Sequence, residues 1–116
     1  MLTREEFKKN PELVFDKAYG SLSGLAIGDS FGDASRKQEN RENYAITTDF
    51  NSKASWSTDD TEFALLTAKT LIRCGGELTS EEVVKSWLED VAIQDEFKRG
   101  GASEIEAANN LRRGFL

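Results

Sequence analysis

Glycine stands at every fourth position from Gly20 to Gly32, in the run A-Y-G-S-L-S-G-L-A-I-G-D-S-F-G. Residues four apart share one face of an α-helix, so Gly20, Gly24, Gly28 and Gly32 predict a helix with a nearly bare ridge. Each glycine inside a helix costs about 1 kcal/mol relative to alanine. Such a face is expected where a second backbone or a ligand comes close. For Gly20 and Gly24 the expected neighbour is another helix of a soluble bundle. The same spacing serves membrane dimers, but Asp16, Lys17, Asp29 and Asp33 flank it here and exclude that use. Gly28 and Gly32 bracket Asp29, so G-D-S-F-G reads as a helix end that feeds a pocket.

Other helix signals surround the ridge. Thr3-x-x-Glu6 predicts a capping box opening a short first helix. Pro11 suits an early position of the next, which is predicted over roughly 11–29 with Leu13, Ala18, Leu22, Leu25 and Ala26 at helical spacing. Residues 33–57 are polar and predict a long loop, with room for a short strand at 44–48. Thr61 to Cys74 predicts a helix with Phe63, Ala64, Leu66, Thr67, Leu71 and Ile72 toward its buried side, ended by Gly75-Gly76. Thr79-x-x-Glu82 predicts a second capping box and a helix through Val91, with Val83, Val84, Trp87, Leu88 and Val91 inward. Gly100-Gly101 breaks the chain before a last helix over 102–113. With one proline and few β-branched runs, the fold class is all-α.

Composition narrows the chemistry. The chain has no histidine and one cysteine, Cys74. This excludes Ser-His and Cys-His nucleophilic catalysis and the usual zinc ligand sets. Any metal must be hard and oxygen-ligated: magnesium, manganese or calcium. The net charge of −6 argues against nucleic acid, because counterion release from phosphates needs clustered cations. Lys98-Arg99 and Arg112-Arg113 are isolated pairs that fit solvated helix faces. No apolar run reaches membrane-spanning length. The charged start, Thr3-Arg4-Glu5-Glu6, is unlike a secretory signal, so a cytoplasmic protein without an internal disulfide is expected. There is no P-loop, no calcium-loop spacing and no G-x-S-x-G.

The stretch W-S-T-D-D-T-E-F-A-L-L, from Trp56 to Leu66, carries the chemistry. One reading is a helix start: Thr58 caps, and Asp59, Asp60 and Glu62 in the first turn favour the dipole. The other is a metal site. Adjacent carboxylates repel unless a cation or water lies between them. At a helix start, Thr58 Oγ and the carboxylates of Asp59 and Asp60 supply several hard oxygens from nearly one point. A single cap needs only one such residue, and this stretch offers five: Ser57, Thr58, Asp59, Asp60 and Thr61.

Taken together, the two motifs resemble the ADP-ribosylglycohydrolase family. Ala18 to Gly32 is similar to that family's N-terminal signature, and Trp56 to Leu66 to its first metal motif and the helix that follows. The likeness covers roughly 18–91. It implies a compact all-α multi-helix bundle and a pocket holding two Mg²⁺ ions, for which Mn²⁺ can substitute. It implies hydrolysis of the glycosidic bond joining ADP-ribose to a protein side chain, or to a small leaving group. Thr58, Asp59 and Asp60 would be metal ligands, and Asp59 and Asp60 catalytic, stabilising an oxocarbenium-like state and helping to activate water. Asp29, Gly32 and Asp33 would lie on the substrate side.

Two departures accompany the likeness. The family's second metal motif, of the D-x-D-T type, and its Asn-Gly-Ala segment have no counterpart here. Arg36 stands where many members carry a glutamate ligand. The chain is therefore expected to be either a single all-α domain over 1–116 or, more simply, the N-terminal part of such an enzyme. The ending R-G-F-L fits a cut chain, and the remaining portion is an expected partner. The alternative is a non-catalytic relative that binds ADP-ribose or serves a structural role.

Overall fold

The computed structural model describes residues 3–36, 57–94 and 100–115. Five helices and no strand are found among these residues. The fold class is thus all-α, as the sequence predicts. No described helix is long and apolar enough to cross a membrane. The chain divides into two compact units, Met1–Ser57 and Thr58–Leu116.

In the first unit, α1 (Arg4–Lys8) opens with the predicted capping box. Thr3 Oγ1 accepts from the Glu6 backbone N–H at 3.2 Å, and Glu6 Oε2 accepts from the Thr3 N–H at 2.7 Å. The Thr3 backbone N–H, and then its hydroxyl, hold the Glu6 carboxyl below its usual range. The next helix, α2 (Pro11–Arg36), has Pro11 at its first position, where a missing N–H costs nothing. Asn10 Oδ1 caps it by accepting from the Leu13 N–H at 3.0 Å. Phe15 and Tyr19 stack one turn apart on its exposed surface, with centroids 6.0 Å apart.

Two expectations for α2 are corrected. The helix runs unbroken to Arg36, so G-D-S-F-G lies inside it and is not its end. Residues 33–36, expected to begin the loop, are its last turn; the rest of the 33–57 stretch up to Trp56, with the strand considered at 44–48, lies outside the described residues. No neighbour of the glycine ridge is found among the described residues. A Cβ added at Gly20, Gly24, Gly28 or Gly32 would meet no described atom within 4 Å.

The second unit holds α3 (Asp59–Arg73), α4 (Ser80–Asp90) and α5 (Ala102–Arg112), with α4 against both others. Its apolar centre is small. Val91 and Ala108 are buried, and Phe63, Leu66, Trp87 and Ile105 pack around them. The α3–α4 seam is apolar at Phe63, Leu66 and Trp87 but polar further along, at Thr70, Arg73 and Ser86. Thr70 and Ser86 are each 2% exposed, whereas Ile72 is 83% exposed, and Leu71 and Leu88 also face outward. Thr67, also expected inside, is exposed and donates to the Phe63 carbonyl at 2.8 Å.

The buried hydroxyls are satisfied in a directed chain. Thr70 donates its only O–H to the Leu66 carbonyl at 2.8 Å, so the 2.6 Å contact with Ser86 is a donation from Ser86. Ser86 Oγ in turn accepts from Arg73 Nη2 at 2.9 Å. Arg73 also reaches Glu82 at 3.0 Å and Glu89 at 2.8 Å. Burial works against the Arg73 charge, but the Glu82 and Glu89 carboxylates outweigh it and raise its pKa above the ordinary value. This explains why the second capping box forms only in part. Thr79 Oγ1 accepts from the Glu82 N–H at 3.3 Å, while the Glu82 carboxylate serves Arg73. Lys69 bridges to Asp90 at 2.8 Å lower on the same seam.

Gly75 and Gly76 end α3 as predicted, with φ of 65° and 89°. Their N–H groups donate to Ile72 (3.3 Å) and Leu71 (2.8 Å), the two bonds of a Schellman motif. A side chain at Gly75 would have open space but the wrong backbone region. Gly75→Ala is therefore expected to destabilise the second unit by about 1–2 kcal/mol. Urea unfolding checks this, and Gly75→Asn should lose less because asparagine tolerates the left-handed region.

Candidate metal centre

The candidate centre is built from the turn that begins α3. Thr58 takes the N-cap place in extended conformation, φ −107° and ψ −160°. The helix start predicted for this stretch is therefore present. Its expected capping bond is not: the Thr58 side chain makes no hydrogen bond to the backbone of the first turn. That turn is closed by the Glu62 N–H donating to the Thr58 carbonyl at 3.3 Å. Asp59 is half-buried, Asp60 is exposed and Thr61 is buried.

Consecutive residues on a helix point about 100° apart. Asp59 and Asp60 therefore fan out from the helix start beside the Thr58 hydroxyl. The electrostatics favour a cation on balance. The helix N-terminus carries roughly +0.5 of a charge, against two full negative charges on the carboxylates. The donors are all hard oxygens, which suits Mg²⁺ or Mn²⁺. In chemistry the three residues fit, and they supply part of the roughly six oxygens that Mg²⁺ takes. Among the described residues no group of three or more His, Cys, Asp or Glu side chains is placed to hold a metal.

The other predicted residues lie on α2, in the first unit. Asp29 and Asp33 are one turn apart on the same face, both half-buried, and Gly32 is exposed beside them. Asp33 Oδ1 accepts from Arg36 Nη2 at 2.9 Å and Nε at 3.1 Å. A ligand role for Asp33 would thus compete with its ion pair to Arg36. The sequence carried the signal for this pair, acid and base three residues apart on a helix, and the reading of Arg36 passed over it. It also placed Phe63 and Trp87 on buried faces without pairing them. Their rings stack at 4.9 Å, interplanar 15°.

Comparison with known proteins agrees with the motifs. Residues 10–115 match the family model described as ADP-ribosylglycohydrolase. The chain belongs to that family, a family of hydrolases. No curated protein and no solved structure matches it.

Proposed function

We propose that this chain serves the removal of ADP-ribose from modified protein side chains, or from a related ADP-ribosyl compound, at a binuclear Mg²⁺ site of which it carries the N-terminal half. The observation that carries the reading is the α3 start: three consecutive hard-oxygen residues, with the N-cap hydroxyl not used as a cap, in a chain of this family. Thr58, Asp59 and Asp60 would hold the metal. When bound, a divalent ion lowers the pKa of a coordinated water and orients the substrate. The chain's own part is to place carboxylate oxygens against the ribose. There an Asp59 or Asp60 oxygen accepts a proton from the attacking water. The aspartate that stays ionised stabilises the oxocarbenium-like state as the glycosidic bond breaks, and the leaving group departs with the bonding electron pair and takes up a proton from solvent. Cytoplasmic localisation goes with this reading.

The second reading is a non-catalytic relative that retains ADP-ribose binding. Arg36, ion-paired with Asp33, favours it. One assay separates the two. ADP-ribosylated protein is incubated with Mg²⁺ and the chain extended to the full length of the family, with and without EDTA, and free ADP-ribose is measured. Release that depends on Mg²⁺ and is lost in Asp60→Asn is the expected outcome. Release that ignores EDTA would sink the metal mechanism. ADP-ribose binding without release would move the chain to the second reading.

A further inference from the structure

A groove of about 680 Å³ runs along α4 beside α5. Its floor is apolar, with Val84 and Leu88 from α4 and Leu111 from α5. Periodicity predicts both α4 residues inside, yet Leu88 is 43% exposed and Val84 is only half-buried. Covering such a patch is favourable in proportion to its apolar area. The charged rim selects what can cover it. Glu81, Lys85 and Glu89 stand four apart and line one edge of α4. The two carboxylates already have work: Glu81 accepts from its own N–H and from Thr79, and Glu89 Oε2 accepts from Arg73 at 2.8 Å. Lys85 makes no hydrogen bond or ion pair among the described residues. An occupant that fits brings apolar side chains for the floor and a carboxylate for Lys85. The same helix carries that combination, because Glu89, its side chain 49% exposed, stands next to Leu88.

We infer that the α4 groove is an interface between two copies of this chain, their α4 helices antiparallel across a two-fold axis at the level of Trp87. Pairing about that point lays the two Val84–Leu88 strips on each other. It also sets Lys85 of each copy against Glu89 of the other. A two-fold contact repeats every pair, so two such ion pairs form. At 0.15 M salt the net charge of −6 is screened beyond about 8 Å, which leaves the facing pairs and the apolar strips in control. This interface is independent of the metal chemistry proposed above.

Sedimentation equilibrium of the full chain at that ionic strength, over about 1 µM to 1 mM, reads the association. The unsubstituted chain should pass from monomer to dimer within this range. Lys85→Glu sets carboxylates against each other twice and should weaken the dimer about tenfold. Glu89→Lys sets ammonium groups against each other and should do the same. An equimolar mixture of these two variants regains both attractive pairs and should dimerise more tightly than either alone. Leu88→Glu should leave a monomer. All three positions are exposed, so the fold should survive, which circular dichroism checks. If Glu89→Lys does not fold, Lys85→Glu and Leu88→Glu carry the test. A chain that stays monomeric to about 1 mM overturns the inference and leaves the groove to a different partner. A dimer that persists in Leu88→Glu, or a mixture no tighter than its components, overturns it too.

Discussion

Replacing Asp59 and Asp60 together by asparagine is expected to abolish Mn²⁺ and Mg²⁺ binding while leaving the second unit folded. Asparagine keeps the shape of aspartate and remains acceptable at a helix start. What is lost is the charge that a hard divalent ion requires. Isothermal titration should show at least about a hundredfold weaker binding, beyond the tenfold or so typical of residues that only orient a ligand. The structural cost is smaller. Each carboxylate in the first turn interacts with the helix dipole by about 0.3–1 kcal/mol. A small fall in thermal midpoint should therefore accompany complete loss of metal. If the double variant binds metal as the unsubstituted chain does, the centre lies elsewhere and the proposed function loses its footing. If it unfolds, the two aspartates act mainly as a helix start.

That experiment tests the part of the molecule that was most legible from sequence. The α3 start was readable because hydroxyl and carboxylate residues at a helix N-terminus leave a local, strongly patterned signal. The same holds for the Thr3 box, Pro11 and Gly75-Gly76, each governed by the backbone of a few adjacent residues. The failures are all non-local. Thr70 and Ser86 look like surface residues, and only the directed hydroxyl chain to Arg73 makes their burial affordable. Ile72 looks like core and is exposed, because the α3–α4 seam runs along the Thr70 face. Nothing within Gly28 to Gly32 revealed that the helix would continue to Arg36. Glycine lowers the expectation of helix at each position, but the backbone retains the same hydrogen bonds. The Thr79 box was half legible: the cap was visible, and the competing claim of Arg73 on Glu82 was not.

Ala108→Glu is expected to be the most destabilising single change in the second unit. Ala108 has 0% exposure and lies against Val91, with Ile105 and Trp87 nearby. A carboxylate there is taken out of water against apolar neighbours, and a buried charge costs several kcal/mol. Small domains have only about 5–15 kcal/mol in total. The rest of the hold on α5 includes the Arg112 Nε–H donating to the Ala92 carbonyl at 2.6 Å, which is too little to offset that cost. Far-UV circular dichroism should show loss of helix, and Trp87 should become exposed. Ala107→Glu is the control: one position along, exposed, and expected to shift stability by no more than about 0.5 kcal/mol. The pair also tests how far the candidate metal centre depends on its scaffold. Ala108 touches the same cluster that includes Phe63 and Trp87, so undocking α5 removes one wall of that cluster. Mn²⁺ binding that survives in Ala108→Glu would show that the α3–α4 pair alone suffices to hold Thr58, Asp59 and Asp60. Binding lost in Ala108→Glu and kept in Ala107→Glu would make all three helices of the unit part of the site.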